Sequence, residues 1–413
     1  MHDAVAEVIP PRLRDALTRR VSFILIIALV SNTTLYMVQP FLAVYFNESR
    51  GFSMAQSGIL LSLSYVPAIL FGTVGGYWAD RLGVLRTYIL ATAVYGLSVA
   101  SIGFFHSFSF LAILVLISGL AVSFTQSGIA ALLNVTAKAE HRGLLQNYLY
   151  WLNNLGIVGG LLVSSELLHA GASNIPLILV GSIRILMSLA ILLVIPISKA
   201  QHNVVAQSSP ARTSMMSTFK ILARDRPLVL TACSVLLLMI VESQLDGTMP
   251  LYFKDHFSHG VSLFGPMVAI NSVVLVTFQP LAVKLVQKRK RAPVFAVGAI
   301  SFGIGLSFGG VVGSVWSWIA GMILFSIGES LWSSKFHDLV GELPSNGNET
   351  VYFGAIRSSL NVAFFIGTSV GPIIWQTVGS VMLFGSMTVL AAMSIPLYYR
   401  ATRIHERRGG EVY

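Results

Sequence analysis

Long apolar stretches recur along the whole chain and constrain its fold more than any other feature. A helix needs about 20 mostly apolar residues to cross roughly 30 Å of hydrocarbon at about 1.5 Å per residue. Twelve stretches of the chain meet this length: 21–46, 53–78, 87–105, 109–134, 144–168, 174–197, 227–253, 262–286, 293–313, 315–340, 351–377 and 379–399. With 54% hydrophobic and only 11% charged residues, the composition excludes a water-soluble protein of 413 residues. We therefore predict an all-α integral membrane protein with twelve transmembrane helices.

The positions of the basic residues predict how the helices are oriented. The termini and the even-numbered loops, with the helix ends beside them, hold 23 of the 27 Lys and Arg residues. The opposite loops hold only Arg50 and Lys254. By the positive-inside rule both termini are expected to be cytoplasmic. The net charge of +10 is explained by this bias, so no nucleic-acid partner is expected.

A polar segment in the middle of the chain predicts two halves. Residues 198–226 have no sustained apolar face and are typical of a cytoplasmic linker between six-helix bundles at 1–197 and 227–413. Leu35 and Pro40 correspond to Leu245 and Pro250 at an offset of 210 residues. Three glycines correspond to three others at an offset of 211: Gly143, Gly156 and Gly160 with Gly354, Gly367 and Gly371. Two sets at nearly equal offsets favour a duplication into parallel halves.

A short polar motif joins the second and third apolar stretches. Its matching residues are Gly76, Asp80, Arg81 and Gly83, followed by Arg86, while Val84 stands where a further Arg is usual. In this place the motif resembles the G-x-x-x-D-R-x-G-R-[RK] signature of the major facilitator superfamily. The resemblance implies the major facilitator fold, transport by alternating access, and a role for these five residues in holding one conformation. On this basis Asp80 is expected to dock on the start of the eleventh helix when the cytoplasmic side is closed.

The fifth apolar stretch carries a second resemblance. Asn153 to Gly160 is similar to the Gly-rich motif of the family's exporters, although the proline of that motif is missing. Close helix packing through small residues would produce part of this pattern by itself. Many antiporters of the family also carry an Arg in the fourth helix, but Val115 precedes Gly119 here. The likeness indicates export, with the proton-linked charge located elsewhere in the chain.

Several charged residues lie inside predicted transmembrane helices, where each ionised group costs about 2.5–3.5 kcal/mol or more. Glu242 and Glu329 fall near mid-depth, and Asp246 follows Glu242 by four residues on the same helix face. The resemblance implies that the first, fourth, seventh and tenth helices line the central path, which places these three acids on it. We predict that they couple transport to protons, with Asp246 and Glu329 as the exchanging pair and Glu242 tuning them, with H⁺ as the coupling ion and with no cofactor or bound metal.

Other polar and aromatic residues are candidates for contact with a substrate. Asn32, Tyr36 and Gln39 have helical spacing on the first helix, and Gln126 lies on the fourth. Arg184 and Arg357 lie inside the sixth and eleventh helices, where the alternatives are an ion pair that only fixes packing for Arg184 and snorkelling to the interface for Arg357. Trp151 and Trp332 would add aromatic surface, although packing or lipid contact is the alternative for each.

These residues describe an amphipathic cavity that is acidic on its C-terminal side. The predicted function is proton-coupled export of an amphipathic small molecule, a drug or a metabolite, by a monomer that spans a cell membrane, the inner membrane of a bacterium. The alternative is export of an anionic metabolite such as a carboxylate siderophore, or of a lipid-like solute, with Arg184 or Arg357 as counter-charge. A transceptor or a membrane-embedded enzyme is disfavoured, because the sequence has no large soluble extension, nucleotide loop, G-x-S-x-G or metal-ligand spacing.

Overall fold

The computed structural model of the chain is all-helical over the residues it describes, which are 16–71, 83–138, 141–169, 174–194, 225–343 and 349–409. The helices before the central gap are α1 Arg19–Tyr36, α2 Leu42–Glu48, α3 Met54–Ser62, α4 Val66–Phe71, α5 Val84–Ile102, α6 Phe108–Thr136, α7 Arg142–His169 and α8 Ile175–Val194. Those after it are α9 Arg226–Glu242, α10 Gln244–Gly247, α11 Met249–His256, α12 Gly260–Val286, α13 Arg291–Val312, α14 Val315–Glu342, α15 Glu349–Val378 and α16 Ser380–Arg407. We call α1–α8 the N-half and α9–α16 the C-half.

Ten helical segments in the described residues are long and apolar enough to cross a membrane. They are Arg19–Glu48, Val84–Ile102, Phe108–Gln126, Ile175–Val194, Arg226–Gly247, Gly260–Val286, Arg291–Val312, Val315–Glu342, Ala355–Val378 and Ser380–Arg407. The other two predicted spans are also helical where they are described: the second is formed by α3 and α4, and the fifth by α7. The chain is thus a multi-span membrane protein, while the number twelve stays a prediction.

The first and seventh spans are both broken in the middle of their apolar stretch. α1 ends at Tyr36, and a 3₁₀ turn at Gln39–Phe41 leads into α2. In the C-half, α9 ends at Glu242, the short α10 follows, and α11 begins at Met249. Pro40 lies in the 3₁₀ turn and Pro250 in the first turn of α11, and a proline lacks the backbone N–H that would continue a helix. Two of the predicted proton-coupling acids, Glu242 and Asp246, therefore stand at an interruption of the helix.

The packing of helices is repeated in the two halves. In the N-half α5 packs against α6 and α8, and α7 packs against α1; in the C-half α13 packs against α14 and α16, and α15 packs against α9. Glycines allow the second contact in both halves. Gly156 lies against Asn32 as Gly367 lies against Ser243, both at an offset of 211 residues. The contacts support the duplication predicted from the sequence.

The two halves meet through α7 with α12 and through α3 with α15. Two hydrogen bonds join the halves at one end of the bundle, where Lys254 Nζ donates to Asn47 Oδ1 at 2.6 Å and Gln376 Oε1 accepts from the Ala55 backbone N–H at 3.2 Å. We call this the Lys254 end. The opposite end, where α9 begins, is the Arg226 end. Gly58 and Gly247 both abut Thr368 of α15, which closes the interior toward the Lys254 end.

A central cavity as the candidate functional site

A cavity of about 590 Å³ lies between the two halves. Five of the residues predicted to bind substrate or protons line it: Tyr36, Gln39, Gln126, Asp246 and Arg357. The wall between them is mostly apolar, with Leu35, Val122, Leu360 and Phe364. The N-half contributes neutral polar groups, while both formal charges of the wall come from the C-half. The cavity is therefore amphipathic and charged on one side.

Asp246 forms the charged end of the cavity nearest the Lys254 end. The hydroxyl of Tyr65 donates to Asp246 Oδ2 at 3.0 Å, and the Tyr65 ring packs on that of Phe364 with centroids 5.2 Å apart. Beside them Gln39 Nε2 donates to Ser64 Oγ at 3.0 Å. One carboxylate oxygen of Asp246 is thus held by the N-half across the interface. The Tyr65 hydroxyl is thus the group of the N-half that contacts the acid.

The other two membrane acids lie next to this end rather than in the cavity wall. Glu242 is within electrostatic range of both Glu329 and Asp246, and Tyr36 is within range of Glu242 and Asp246. Glu329 Oε2 accepts from Asn271 Nδ2 at 2.9 Å. All three acids are partly buried. The structure thus brings the three predicted proton-coupling acids into one cluster in the C-half.

Arg357 lies at the mouth of the cavity on the side of the Arg226 end. Its guanidinium crosses to the N-half and donates to Gln126 Oε1 at 3.1 Å, and both side chains are exposed. Asn361 and the exposed His337 line the cavity nearby. Arg357 forms no ion pair with an acidic side chain of the described chain. Its positive charge faces the cavity and is not neutralised there.

Three predicted substrate contacts do not line the cavity. Asn32 Nδ2 donates to Asn153 Oδ1 at 2.7 Å and so holds α1 to α7. Trp151 of α7 is 52% exposed and is not among the residues that line the cavity. Trp332 is 4% exposed and packs against Phe295 and Phe302 of α13. The packing of Trp332 agrees with the alternative considered for it in the sequence.

Arg184 is also remote from the cavity. It is 1% exposed inside the N-half, where its guanidinium donates to Ser31 Oγ and to the Ser31 carbonyl, both at 2.6 Å. Its charge lies over the ring of Tyr95, 4.6 Å from the centroid. No acidic side chain of the described residues pairs with it, so neither the predicted substrate contact nor the alternative ion pair is seen. Arg184 braces α1 against α5 and α8 and does not meet a solute in the cavity.

The conformational motif lies largely outside the described residues. Gly76, Asp80 and Arg81 belong to the part that the structure does not describe. Gly83 has φ of +88° directly before α5, a conformation that favours glycine. Arg86 is exposed on the first turn of α5. The docking of Asp80 stays a prediction.

Sequence reasoning missed polar residues that take part in the site. Asn271 is the hydrogen-bond partner of Glu329, and its signal was an amide in the middle of the apolar stretch 262–286. Asn361 lines the cavity one turn from Arg357 on the same face of α15. His337 lines the cavity from α14. It lies near the end of that helix, and no sequence pattern indicated that it faces the cavity.

Comparison with known proteins agrees with this architecture. The chain matches the Major Facilitator Superfamily over residues 24–368 and again over 247–410. It is 24% identical to an uncharacterized MFS-type transporter, YqjV, of Bacillus subtilis over 377 residues, 88% of this chain and 89% of the relative. It is 23% identical to a Na(+), Li(+), K(+)/H(+) antiporter of Planococcus maritimus, covering 87% of this chain and 91% of the relative.

Among solved structures, the nucleoside transporter NupG superposes with a TM-score of 0.74 at 14% identity, covering 94% of this chain and 100% of NupG. At this identity the likeness concerns the fold. The family match spans most of the chain, and its members are transporters, not enzymes. The chain is therefore a membrane transporter of the Major Facilitator Superfamily.

Proposed function

We propose that this protein exports an amphipathic small organic molecule in exchange for protons. The observation that carries the proposal is Asp246: it is the acid that lines the cavity, and Glu242 and Glu329 lie beside it. A substrate that binds the ionised carboxylate cannot be held there while the same group carries a proton. This mutual exclusion of substrate and proton couples export of the solute to entry of protons.

The proposed transport cycle follows from the contacts that close the Lys254 end. With the Arg226 end cytoplasmic, as the basic residues predict, the cavity described above faces the cytoplasm, because the halves meet at the Lys254 end. Rocking of the halves would expose the same cavity to the other side. Protonation of Asp246 from an acidic exterior then releases the solute, and deprotonation toward the cytoplasm restores the binding charge. We infer that the protein acts as a monomer in a cell membrane, the bacterial inner membrane.

A second candidate is exchange of monovalent cations for protons, which the similarity to the Na(+), Li(+), K(+)/H(+) antiporter favours. The same three acids would then bind the cation. The apolar part of the cavity wall, with Leu360 and Phe364, contributes nothing to binding of a small cation, whereas an organic solute would bury it, and this supports the organic solute. An anionic substrate would depend on Arg357 alone, because Arg184 lies within the N-half.

The test uses purified protein in proteoliposomes with an imposed pH gradient and ethidium as an amphipathic probe. Gradient-driven ethidium transport is expected for the parent protein and is expected to be lost in Asp246→Asn and reduced in Glu329→Gln and Glu242→Gln. The matched control is Glu166→Gln, which makes the same chemical change on the exposed surface of α7. Transport at the parent level in all three cavity-side variants would refute the proposed coupling. Exchange of Na⁺, Li⁺ or K⁺ for protons, with no transport of ethidium, would favour the second candidate.

A further inference from the structure

The cavity carries two opposite charges that do not pair with each other. Asp246 lies at the closed end and Arg357 at the mouth, and no ion pair joins them. Asp246 is held by Tyr65 through one oxygen only, and Arg357 by the neutral amide of Gln126. The described wall contains no other carboxylate and no other guanidinium or ammonium group. Two separated, unpaired charges in one cavity are suited to a ligand that carries both complementary charges.

The spacing of the charges follows from α15. Arg357 and Phe364 lie on the same face of this helix, seven residues apart. Seven residues correspond to about 10 Å along a helix at about 1.5 Å per residue. Phe364 marks the level of Asp246, because Tyr65 contacts the Phe364 ring and the Asp246 carboxylate together. The backbone of Arg357 is therefore roughly 10 Å along α15 from the residue nearest Asp246, and a ligand of about this length could reach both charges.

Both halves contribute apolar side chains to the cavity wall, beside polar ones such as Asn361. Leu360 and Phe364 line it from the C-half, and Leu35 and Val122 line it from the N-half. A ligand that bridges the two ends would bury an apolar middle here, and that burial is favourable. A short zwitterion whose charges lie close together would reach only one end.

We propose that the substrate class is an elongated zwitterion with an apolar middle, bound with its ammonium group at Asp246 and its carboxylate at Arg357. This inference rests on the proposed function and names the substrate of the same site. It joins the two charge preferences left open by the sequence, since the acid end alone favours a cation and the Arg357 end alone favours an anion. In transport, protonation of Asp246 would release the ammonium end first. The carboxylate end would then be held by Arg357 alone, with a single charged contact left to break on the exterior side.

The test compares three probes of equal length: 8-aminooctanoate, 8-aminooctan-1-ol and 8-hydroxyoctanoate. Each of the last two replaces one charged end by a hydroxyl group. Binding is measured by calorimetry on the full-length protein in detergent, with 4-aminobutanoate as the short zwitterion. The aminooctanoate is expected to bind about tenfold or more tightly than either hydroxyl analogue and than the short zwitterion, because each charged end makes a charge-assisted hydrogen bond.

Variants of Arg357 and Asp246 test which residue binds which charged end of the ligand. Arg357→Gln is expected to weaken aminooctanoate binding by about tenfold and to leave binding of the amino alcohol within about twofold, while Arg357→Lys keeps part of the preference. Asp246→Asn is expected to weaken both amines and to spare 8-hydroxyoctanoate. Arg403→Gln is the matched control, since Arg403 is exposed on α16 away from the cavity.

Three results would overturn the inference: equal binding of the amino alcohol and the zwitterion, a preference that survives Arg357→Gln, or no binding of any zwitterion of the series. The pH-gradient assay separates this inference from the proposed function. A zwitterion preference without gradient-driven transport would refute proton coupling and leave the substrate class standing. Gradient-driven ethidium transport without a zwitterion preference would refute the substrate class and leave proton coupling standing.

Discussion

Gly58 allows the two halves to approach at the Lys254 end, and enlarging it should open that end. A Cβ atom added at Gly58 would lie 2.6 Å from the carbonyl oxygen of Thr368 and 2.8 Å from Cγ of Pro372. Both neighbours belong to α15 in the C-half. The oxygen is a backbone atom and cannot turn away as a side chain would, so Gly58→Ala must push α3 and α15 apart.

The size of the effect follows from the cost of overpacking, which is typically about 1–3 kcal/mol. Since about 1.4 kcal/mol changes an equilibrium tenfold, the ratio of closed to open molecules at the Lys254 end should fall by roughly 5- to 150-fold. A population that is almost wholly closed would then contain a measurable open fraction. The strain is relieved when the halves separate, so the effect is on the equilibrium between conformations more than on folding.

Distances between spin labels report this equilibrium. Labels at Ser107→Cys in the N-half and Ser258→Cys in the C-half occupy exposed positions at the Lys254 end, with the native Cys233 replaced by Ala. We expect a longer distance component in Gly58→Ala and a larger one in Gly58→Val. Gly159→Ala is the control, because its Cβ would come no closer than 4.0 Å to Thr33. An unchanged distance distribution in both Gly58 variants would refute the argument that this crossing closes the end.

Three further predictions test other contacts. In a Cys233→Ala background, Ser258→Cys should react with an impermeant thiol reagent in intact cells and Arg403→Cys should not; the opposite pattern would reverse the orientation derived from the basic residues. Lys254→Met removes the 2.6 Å hydrogen bond to Asn47 across the halves and should raise the open fraction at that end several-fold, for a loss of about 1 kcal/mol; spin-label distances equal to those of the parent would contradict this. Tyr352→Phe removes a 2.6 Å hydrogen bond to Asp225 and should lower the free energy of unfolding by about 1.5–3 kcal/mol. The Tm in detergent should therefore be lower than that of the control Tyr399→Phe, whose ring is at the surface. Equal Tm values would show that this contact does not stabilise the fold.

The membrane acids were accessible to sequence reasoning because their cost in lipid is independent of the fold. Asp246, Glu242 and Glu329 stand out in apolar stretches, and helical spacing already relates the first two. The glycines at an offset of 211 also predicted a real packing contact, since small residues at regular positions have few other uses in a helix. The charge and the size of a side chain can therefore be interpreted from the sequence alone.

The direction in which a helical residue faces could not be obtained in the same way. Trp332 follows Glu329 by three residues, yet it packs on Phe295 of α13 while the acid contacts Asn271 of α12. Periodicity shows that residues share a side of a helix, but the side that faces the cavity depends on which neighbours pack there. Arg184 shows the same limit, because its partners are a serine and an aromatic ring in place of an acid. The contact of Arg357 with Gln126 depends on the approach of the two halves, which no local pattern encodes.

Proton release on substrate binding tests the exclusion at Asp246 most directly. Purified protein in weakly buffered detergent is mixed with saturating ethidium, while a soluble pH indicator reports protons and probe fluorescence reports binding. At a pH where Asp246 is protonated, the parent protein should release about one proton per bound ethidium, because binding requires the ionised carboxylate. Glu166→Gln should behave like the parent, and Asp246→Asn should release none. Ethidium binding to the parent without proton release, or equal release from Asp246→Asn, would contradict the account.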